Sequence, residues 1–369
     1  MNEKKILFVH MYNSFSGSPK VLENVIKVLS RDSNCLLITN HTDGFLDNVN
    51  VRKFKFYFRL TNNKITTLFN FIFAQLSIFF LVLRLANKDD MVYVNTTIPV
   101  FAALGAKLKG ACVVFHLHED TKSLNVIHRS LSLLRRFCCD HEIFVSNYLH
   151  SKEHILGTSY KIIPNCLSED FVTNVHQNSL PRSSFSPFKV LMVCSLKKYK
   201  GVWELIDICN ELLTEPNVQI DLVVSEDEVS MGKFFENSQI PNNLTIHPKA
   251  VDVAKHYENA SLILNLSRPD EWVETFGLTI LEGMVYGLPC IVPPVGGPVE
   301  LVKNNFNGFT ISCYQTKQVA NLILDLYKDE NLYNKMSANS IELSKNFNFY
   351  NFKNDLKDFV DSVWLEAKS

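Results

Sequence analysis

Two α/β domains, each an open parallel sheet covered by helices on both faces, are the fold predicted for this chain, and three observations predict it. Short apolar runs alternate with helical patterns through the first half. An Asn-, Ser- and Pro-rich stretch at 173–187 interrupts the alternation, which restarts at Phe188. A length of 369 residues suits two domains of ordinary size better than one. Apolar strands separated by helices imply βαβ units whose sheets are buried on both sides.

The strands of the first half are expected at 5–9, 35–39, 91–95, 112–117, 142–146 and 161–164. Between the first two, 19–30 places Val21, Val25, Ile26 and Leu29 on one helical face. The second half offers strands at 189–194, 218–224, 243–247, 262–266 and 288–292, with a helix at 202–213. The end, 349–367, carries Phe352, Leu356, Phe359, Val360, Val363 and Trp364 at helical spacing. The domains drawn from this are 1–172 and 188–346, joined by a linker at 173–187.

Composition narrows the function classes. The chain is 46% hydrophobic and 20% charged with a formal net charge of −1, a soluble globular balance without the basic excess of nucleic-acid binders. Its nine cysteines are odd in number, form no CxxC pair and read as buried free thiols rather than disulfides or zinc ligands. No secretory signal opens the chain, so a cytoplasmic location is expected. The apolar, aromatic stretch 68–86, broken by Asn70, Gln75 and Arg84, reads as a buried or partly buried core helix. Its alternative is a helix lying near a membrane surface, with Lys53, Lys55 and Arg59 just upstream.

Open α/β sheets bind ligands beyond the carboxyl ends of their strands, so two such domains predict a cleft lined by those loops. The stretch 262–308 is the most informative. A strand ends near Leu266, a polar loop follows with Arg268, Trp272 and Glu274, and an apolar helix runs from Leu278 to Tyr286 before Gly287 and Pro289 stop it. Gly277 permits close backbone approach to a ligand, and the amides of Gly277, Leu278 and Thr279 open a helix, which is an anion site. The Thr279 hydroxyl adds a donor. Glu282 lies about 7.5 Å further along the helix axis, within reach of ribose hydroxyls, and Glu274 is placed to hold hydroxyls of a sugar. No GxxxxGK[ST] or GxGxxG run is present, which leaves ATPase and nicotinamide chemistry unsupported.

Glu274 and Glu282, with Phe276-Gly277-Leu278 between them and Gly287-Leu288-Pro289 after, resemble the signature of glycosyltransferase family four, of GT-B fold. The run 295–300 and Asn307-Gly308 resemble the family's next loops. The stretch 191–201 resembles its strand and basic loop ending in Lys-Gly; Lys200 matches the lysine used on donor phosphates, where a fixed cation stabilises the departing diphosphate. Ser195 stands where the family usually has an arginine, a departure that Lys197 or Lys198 would compensate. The run 12–20 resembles the glycine-containing loop after the first strand, with Gly17 approaching the donor; a capping turn built by Ser16 or Ser18 with Pro19 is compatible with it. His118, ending a strand beside Glu119, matches the histidine that contacts the donor sugar. Ser146-Asn147 and Pro164-Asn165 resemble loops closing the first domain, and the helix at 347–369 is implied to cross back onto it.

The resemblance implies two Rossmann-like domains and transfer, with retention and without a metal or other cofactor, of a hexose or N-acetylhexosamine from a nucleotide diphosphate sugar, UDP by prior. The implied acceptor is a glycan or polyprenyl-diphosphate-linked glycan in bacterial lipopolysaccharide, O-antigen or capsule synthesis, with peripheral contact at the inner membrane face and no nucleic-acid partner. His116 and His118 share a strand face, but further metal ligands are not evident in sequence. The competing readings are a nucleotide-sugar epimerase or phosphorylase of the same fold, and a non-catalytic sugar-nucleotide binder. Incubation with donor alone separates them, since an epimerase yields a new sugar and a transferase only slow hydrolysis.

Overall fold

The structure, a computed structural model, describes residues 5–121, 126–178, 187–249 and 253–366. The chain forms two compact units, 1–166 with 350–369 and 167–349. The first carries seven strands: β1 (Lys5–Val9), β2 (Asn34–Asn40), β3 (Arg52–Phe56), β4 (Met91–Asn95), β5 (Cys112–Leu117), β6 (His141–Phe144) and β7 (Ser159–Ile162). Their order is β3-β2-β1-β4-β5-β6-β7, and all neighbours are parallel. Parallel neighbours need crossover connections. Helices α1 (Gly17–Leu29), α2 (Lys64–Leu85), α3 (Phe101–Lys109), α4 (Val126–Cys138) and α5 (Asn147–Glu153) provide five of the six, and a short 3-10 turn at Phe45–Asn48 lies between β2 and β3. Every residue of β4 is buried, which explains its unbroken apolar run before Asn95.

The second unit begins with α6 (Glu169–Asn178), followed by β8 (Phe188–Cys194), α7 (Val202–Glu211), β9 (Val218–Val224), α8 (Glu228–Phe234), β10 (Leu244–Pro248), α9 (Ala254–Asn259) and β11 (Leu262–Leu264). It continues with α10 (Leu278–Val285), β12 (Cys290–Val292), α11 (Pro298–Leu301), β13 (Gly308–Thr310), α12 (Thr316–Lys328) and α13 (Glu330–Ser344). Its sheet, β10-β9-β8-β11-β12-β13, is also parallel throughout. The last helix, α14 (Phe349–Glu366), packs on the first unit. Phe359 meets the His141 ring edge-on at 6.3 Å, and Asp355 and Lys357 pair with Lys161 and Asp32.

Three expectations change. The stretch expected as a linker is helical over its first part: α6 runs to Asn178, Ser168 Oγ accepts from the Phe171 amide at 3.3 Å, and Val175 is buried. The units therefore divide at Cys166, before the expected boundary at 172, and 179–186 of the expected linker lie outside the described residues. Strand β3 was not expected. Its RKFKF sequence alternates basic and aromatic residues because it is an edge strand, where lysine discourages further pairing. The reading of 68–86 as buried or partly buried narrows to its partly buried form. Of the 22 residues of α2, Ala74, Gln75, Ile78 and Val82 are buried, while Phe69, Phe73 and Phe80 each stand more than 60% exposed.

Candidate functional site

In each sheet the strand order reverses at one point, between β1 and β4 in the first and between β8 and β11 in the second. Such a reversal opens a crevice at the strands' carboxyl ends. In the second unit two loops meet there. The β8 loop turns through Lys197 to Gly201, with the Ser195 carbonyl accepting from the Lys197 amide at 2.8 Å. It delivers Lys200 Nζ to Glu274 Oε2 at 2.6 Å. Burial works against the Lys200 charge, but the Glu274 carboxylate outweighs it, helped by Cys194 and Tyr199, so its pKa stands above the ordinary lysine value. Lys197 and Lys198 are exposed on the same turn. Glu274 is held from behind: Gly297 donates to its carbonyl at 2.8 Å. At Gly296, with φ +87°, a Cβ would lie 2.3 Å from that same oxygen. The Gly-Gly turn after β12 therefore exists to let two backbones touch.

The Glu274 loop runs directly into α10. Gly277 caps that helix at φ 105°, ψ 61°, a conformation few other residues adopt. Its carbonyl accepts from the Ile280 and Leu281 amides. The amides of Gly277, Leu278 and Thr279 have no acceptor among the described residues, which is the anion-binding end of a helix. One turn on, Glu282 Oε2 accepts from the buried Tyr257 hydroxyl at 2.6 Å. Burial, then the Glu282 charge, holds the Tyr257 phenol protonated, so it remains a donor. One Glu282 oxygen is thereby oriented before any ligand arrives.

Two aromatic side chains brace these loops. The Phe276 ring is buried and meets Phe347 edge-on at 5.8 Å, so its side chain anchors the loop. Trp272 stacks on Tyr199 at 5.0 Å and 15°, tying the Glu274 loop to the Lys200 loop. Arg268 was passed over in sequence. It lies buried between Glu204, at 2.7 Å, and Glu271, at 2.6 Å, braces the same loop, and sits among acids whose spacing is visible only in the fold. Its own amide donates to the Tyr199 carbonyl at 2.8 Å.

The first unit gathers a histidine cluster at its own reversal point. His118 Nε2 hydrogen bonds Asn95 Oδ1 at 2.9 Å, and Asn95 Nδ2 contacts His10 Nδ1 at 3.0 Å and the Ser18 carbonyl at 3.2 Å. His116 stacks obliquely on His118, ring centres 4.3 Å apart, and bonds the Tyr93 hydroxyl through Nδ1 at 2.8 Å. Burial lowers the pKa of His10 to about 4 and of His116 to about 3, and it takes His118 well below the ordinary value, so all three are neutral at pH 7. Burial beside Glu153 raises Glu119 to about 7. Gly17 is exposed at the first turn of α1, adjacent to the tethered Ser18. The expected cap at that helix is absent: Ser16 occupies the N-cap without a side-chain hydrogen bond, and Pro19 is the third helical residue. Sequence reading missed His10 and Asn95, whose strands β1 and β4 lie adjacent only through the crossover topology.

A group of side chains with metal-ligand chemistry lies elsewhere among the described residues. Asp221, His247 and His256 bring three ligand atoms within 4.8 Å of one another on β9, β10 and α9. Asp221 and His247 already bond each other at 3.0 Å, an arrangement that satisfies both without an ion.

Residues 181–343 match the family described as glycosyl transferases group 1. N-acetyl-alpha-D-glucosaminyl L-malate synthase of Bacillus anthracis is 29% identical over 156 residues, 42% of this chain and 40% of that protein. Sucrose-phosphate synthase of Spinacia oleracea is 29% identical over 117 residues, 32% of this chain and 11% of that protein. The matches thus span less than half the length of these relatives. HepE of Anabaena, solved in complex with UDP and glucose, superposes with a TM-score of 0.77 at 18% identity, over 97% of this chain and 100% of that one. The stretch 181–343 is thus similar to the glycosyl transferases group 1, and the two parallel-sheet units have the GT-B fold of solved glycosyltransferases.

Proposed function

We propose that the chain is a retaining glycosyltransferase that moves a hexose or N-acetylhexosamine from a UDP-sugar to a glycan or polyprenyl-diphosphate-linked acceptor, in the synthesis of bacterial surface polysaccharide such as lipopolysaccharide, O-antigen or capsule. The supporting observation is the Lys200 ammonium 2.6 Å from Glu274, on the loop that leads into the unpaired amides of α10. A cation and a helix N-terminus converging on one loop form a diphosphate site. The similarity to a protein solved with UDP and glucose supports UDP as the base carrier. In the proposed step the bond from the sugar C1 to the β-phosphate oxygen breaks and the acceptor oxygen takes its place on the same face. The acceptor proton passes to the leaving phosphate oxygen. Lys200 and the amides of Gly277, Leu278 and Thr279 take up the charge that grows on the diphosphate. Glu282, pre-set by Tyr257, accepts from ribose hydroxyls, and Glu274, released from Lys200, from sugar hydroxyls. His118, neutral, contributes a hydrogen bond to the donor sugar and no charge.

Thermal unfolding measured with UDP, GDP, dTDP and ADP tests the donor class. UDP at about 100 times its Kd should stabilise the fold by about 2.7 kcal/mol. A shift with none of the four, or an equal shift with all, overturns the assignment. Because fixed cations and amides hold the diphosphate in this reading, transfer should persist at full rate in excess EDTA. Loss of activity restored by a divalent ion would remove metal independence from it.

A further inference from the structure

We propose that the outer face of α2 and α4 is a docking surface for an anionic lipid bilayer, on which the first unit lies without crossing it. The inference is independent of the sugar-transfer chemistry. It begins with apolar surface in the wrong place for a soluble core. Ile65, Phe69, Phe73 and Phe80 on α2 are 62–70% exposed, and α4 adds Val126 at 76% and Phe137 at 83%. Leu108 of α3, 71% exposed, stands on the helix packed between them. Scattered exposed leucines are ordinary, but a run of phenylalanines along one helix face marks an interaction site.

Charge identifies the occupant. From 48 to 88 the chain has seven Lys and Arg and no Asp or Glu, although acids and bases are balanced overall at 38 and 37. Arg52, Lys55, Arg59, Lys64, Arg84 and Lys88 of this stretch are all exposed. Helix α4 carries Arg129 and Arg136 on its exposed side and has no acid along its length. Aromatic and aliphatic residues flanked by basic ones are the composition of a helix lying at the headgroup boundary of an anionic leaflet. A second copy fits poorly, because a two-fold interface would set one basic belt against another.

Length alone would let α2 cross a bilayer, since its 22 residues are apolar enough. Its inner face prevents this. Gln75 Nε2 donates to the Ile98 carbonyl at 2.6 Å while its Oε1 accepts from the Phe101 amide at 3.3 Å. A Cβ at Gly105 would meet the Phe79 carbonyl at 3.0 Å, so α2 and α3 touch backbone to backbone. The helix also joins β3 to β4 of one sheet. It is fastened along its length to the first unit and presents only its outer side.

Flotation of the full chain with phosphatidylcholine vesicles, with and without about one part in three of phosphatidylglycerol, tests the proposal. Binding to the phosphatidylglycerol vesicles is expected at least about tenfold tighter than to phosphatidylcholine alone, and weaker in high salt. The double variant Phe69→Ser/Phe73→Ser should lose about tenfold or more in binding, as should Lys64→Glu/Arg136→Glu, with the UDP-induced thermal shift retained. Should the phenylalanine pair fail to fold, the charge pair decides. Light scattering without lipid should give a monomer. No flotation with phosphatidylglycerol, flotation unchanged in the variants, or a dimer that the phenylalanine variant dissolves would each overturn the proposal, the last assigning the face to a second copy. Retention of the nucleotide response in any of these cases leaves the proposed function standing.

Discussion

Lys200→Ala should lower kcat/KM for the UDP-sugar donor by about 10²–10³, or roughly 2.7–4 kcal/mol of transition-state stabilisation. The size follows from where the ammonium sits. It is largely removed from solvent, its pKa is held above the ordinary value by Glu274, and it is therefore charged throughout the neutral range. At rest that charge is already matched by a carboxylate, so ground-state binding of a diphosphate gains little from it. As the sugar–phosphate bond breaks, negative charge grows on the leaving group and the ammonium shifts to it. Most of the loss should thus appear in kcat, with a smaller change in KM. Lys200→Arg retains charge but swaps a compact ammonium for a planar fork, and should restore only part of the rate. Glu274→Gln removes the resting partner while leaving the cation, so donor affinity should change less than in Lys200→Ala. If Lys200→Ala kept activity within about twofold, the ion pair would be a strut between two loops and the diphosphate assignment would fall.

The donor half was legible because its parts are contiguous. Glu274, Gly277 and Glu282 lie within nine residues, and the helix that spaces them is encoded by its apolar run and its stop at Gly287. Lys200 was found through resemblance, and its ion pair with Glu274, 74 residues away, is a product of the β8–β11 adjacency that no local pattern states. The histidine cluster shows the same limit. His118 was visible as a strand end, but His10 and Asn95 join it only because β1 and β4 neighbour each other across a switch in strand order. Phe276 and α2 show what a local pattern leaves open. The Phe276 motif does not state that its ring packs against Phe347, and the apolar run of α2 does not state which part of the helix is buried and which exposed. Periodicity reports that a face is apolar; it does not report what covers it.

Acidification from pH 6.5 to 4.5 should destabilise the first unit, by an amount on the order of a few kcal/mol, a sizeable share of what an ordinary domain possesses. The sign follows from the histidine cluster. Free histidine titrates near 6.5, whereas burial holds His10 at about 4 and His116 at about 3, with His118 also well below. Below pH 6.5 the unfolded chain therefore binds protons that the folded one refuses, and stability falls as pH falls. It is fully present above the unfolded value and lost progressively toward the folded ones. Glu119 acts in the opposite sense. Raised to about 7, it is protonated in the folded unit and ionised in the unfolded chain across this window, so it favours folding as pH drops. The lowered histidines outnumber the one raised carboxyl, so near pH 5 the unfolded state binds more protons than the folded one and stability falls with pH. Lowered values at His128, His141 and His150 add to the same direction. Trp364 is the tryptophan of the first unit, and Trp203 and Trp272 belong to the second. Urea unfolding followed by fluorescence in a Trp203→Phe/Trp272→Phe background therefore reads the first unit alone. His116→Gln keeps a partner for the Tyr93 hydroxyl and removes one titrating group, so its slope should fall by about one proton. A flat profile between pH 6.5 and 4.5, or a slope untouched by His116→Gln, would mean the cluster is hydrated and protonated in the folded protein. His118 could then no longer serve as a neutral hydrogen-bonding partner to a sugar.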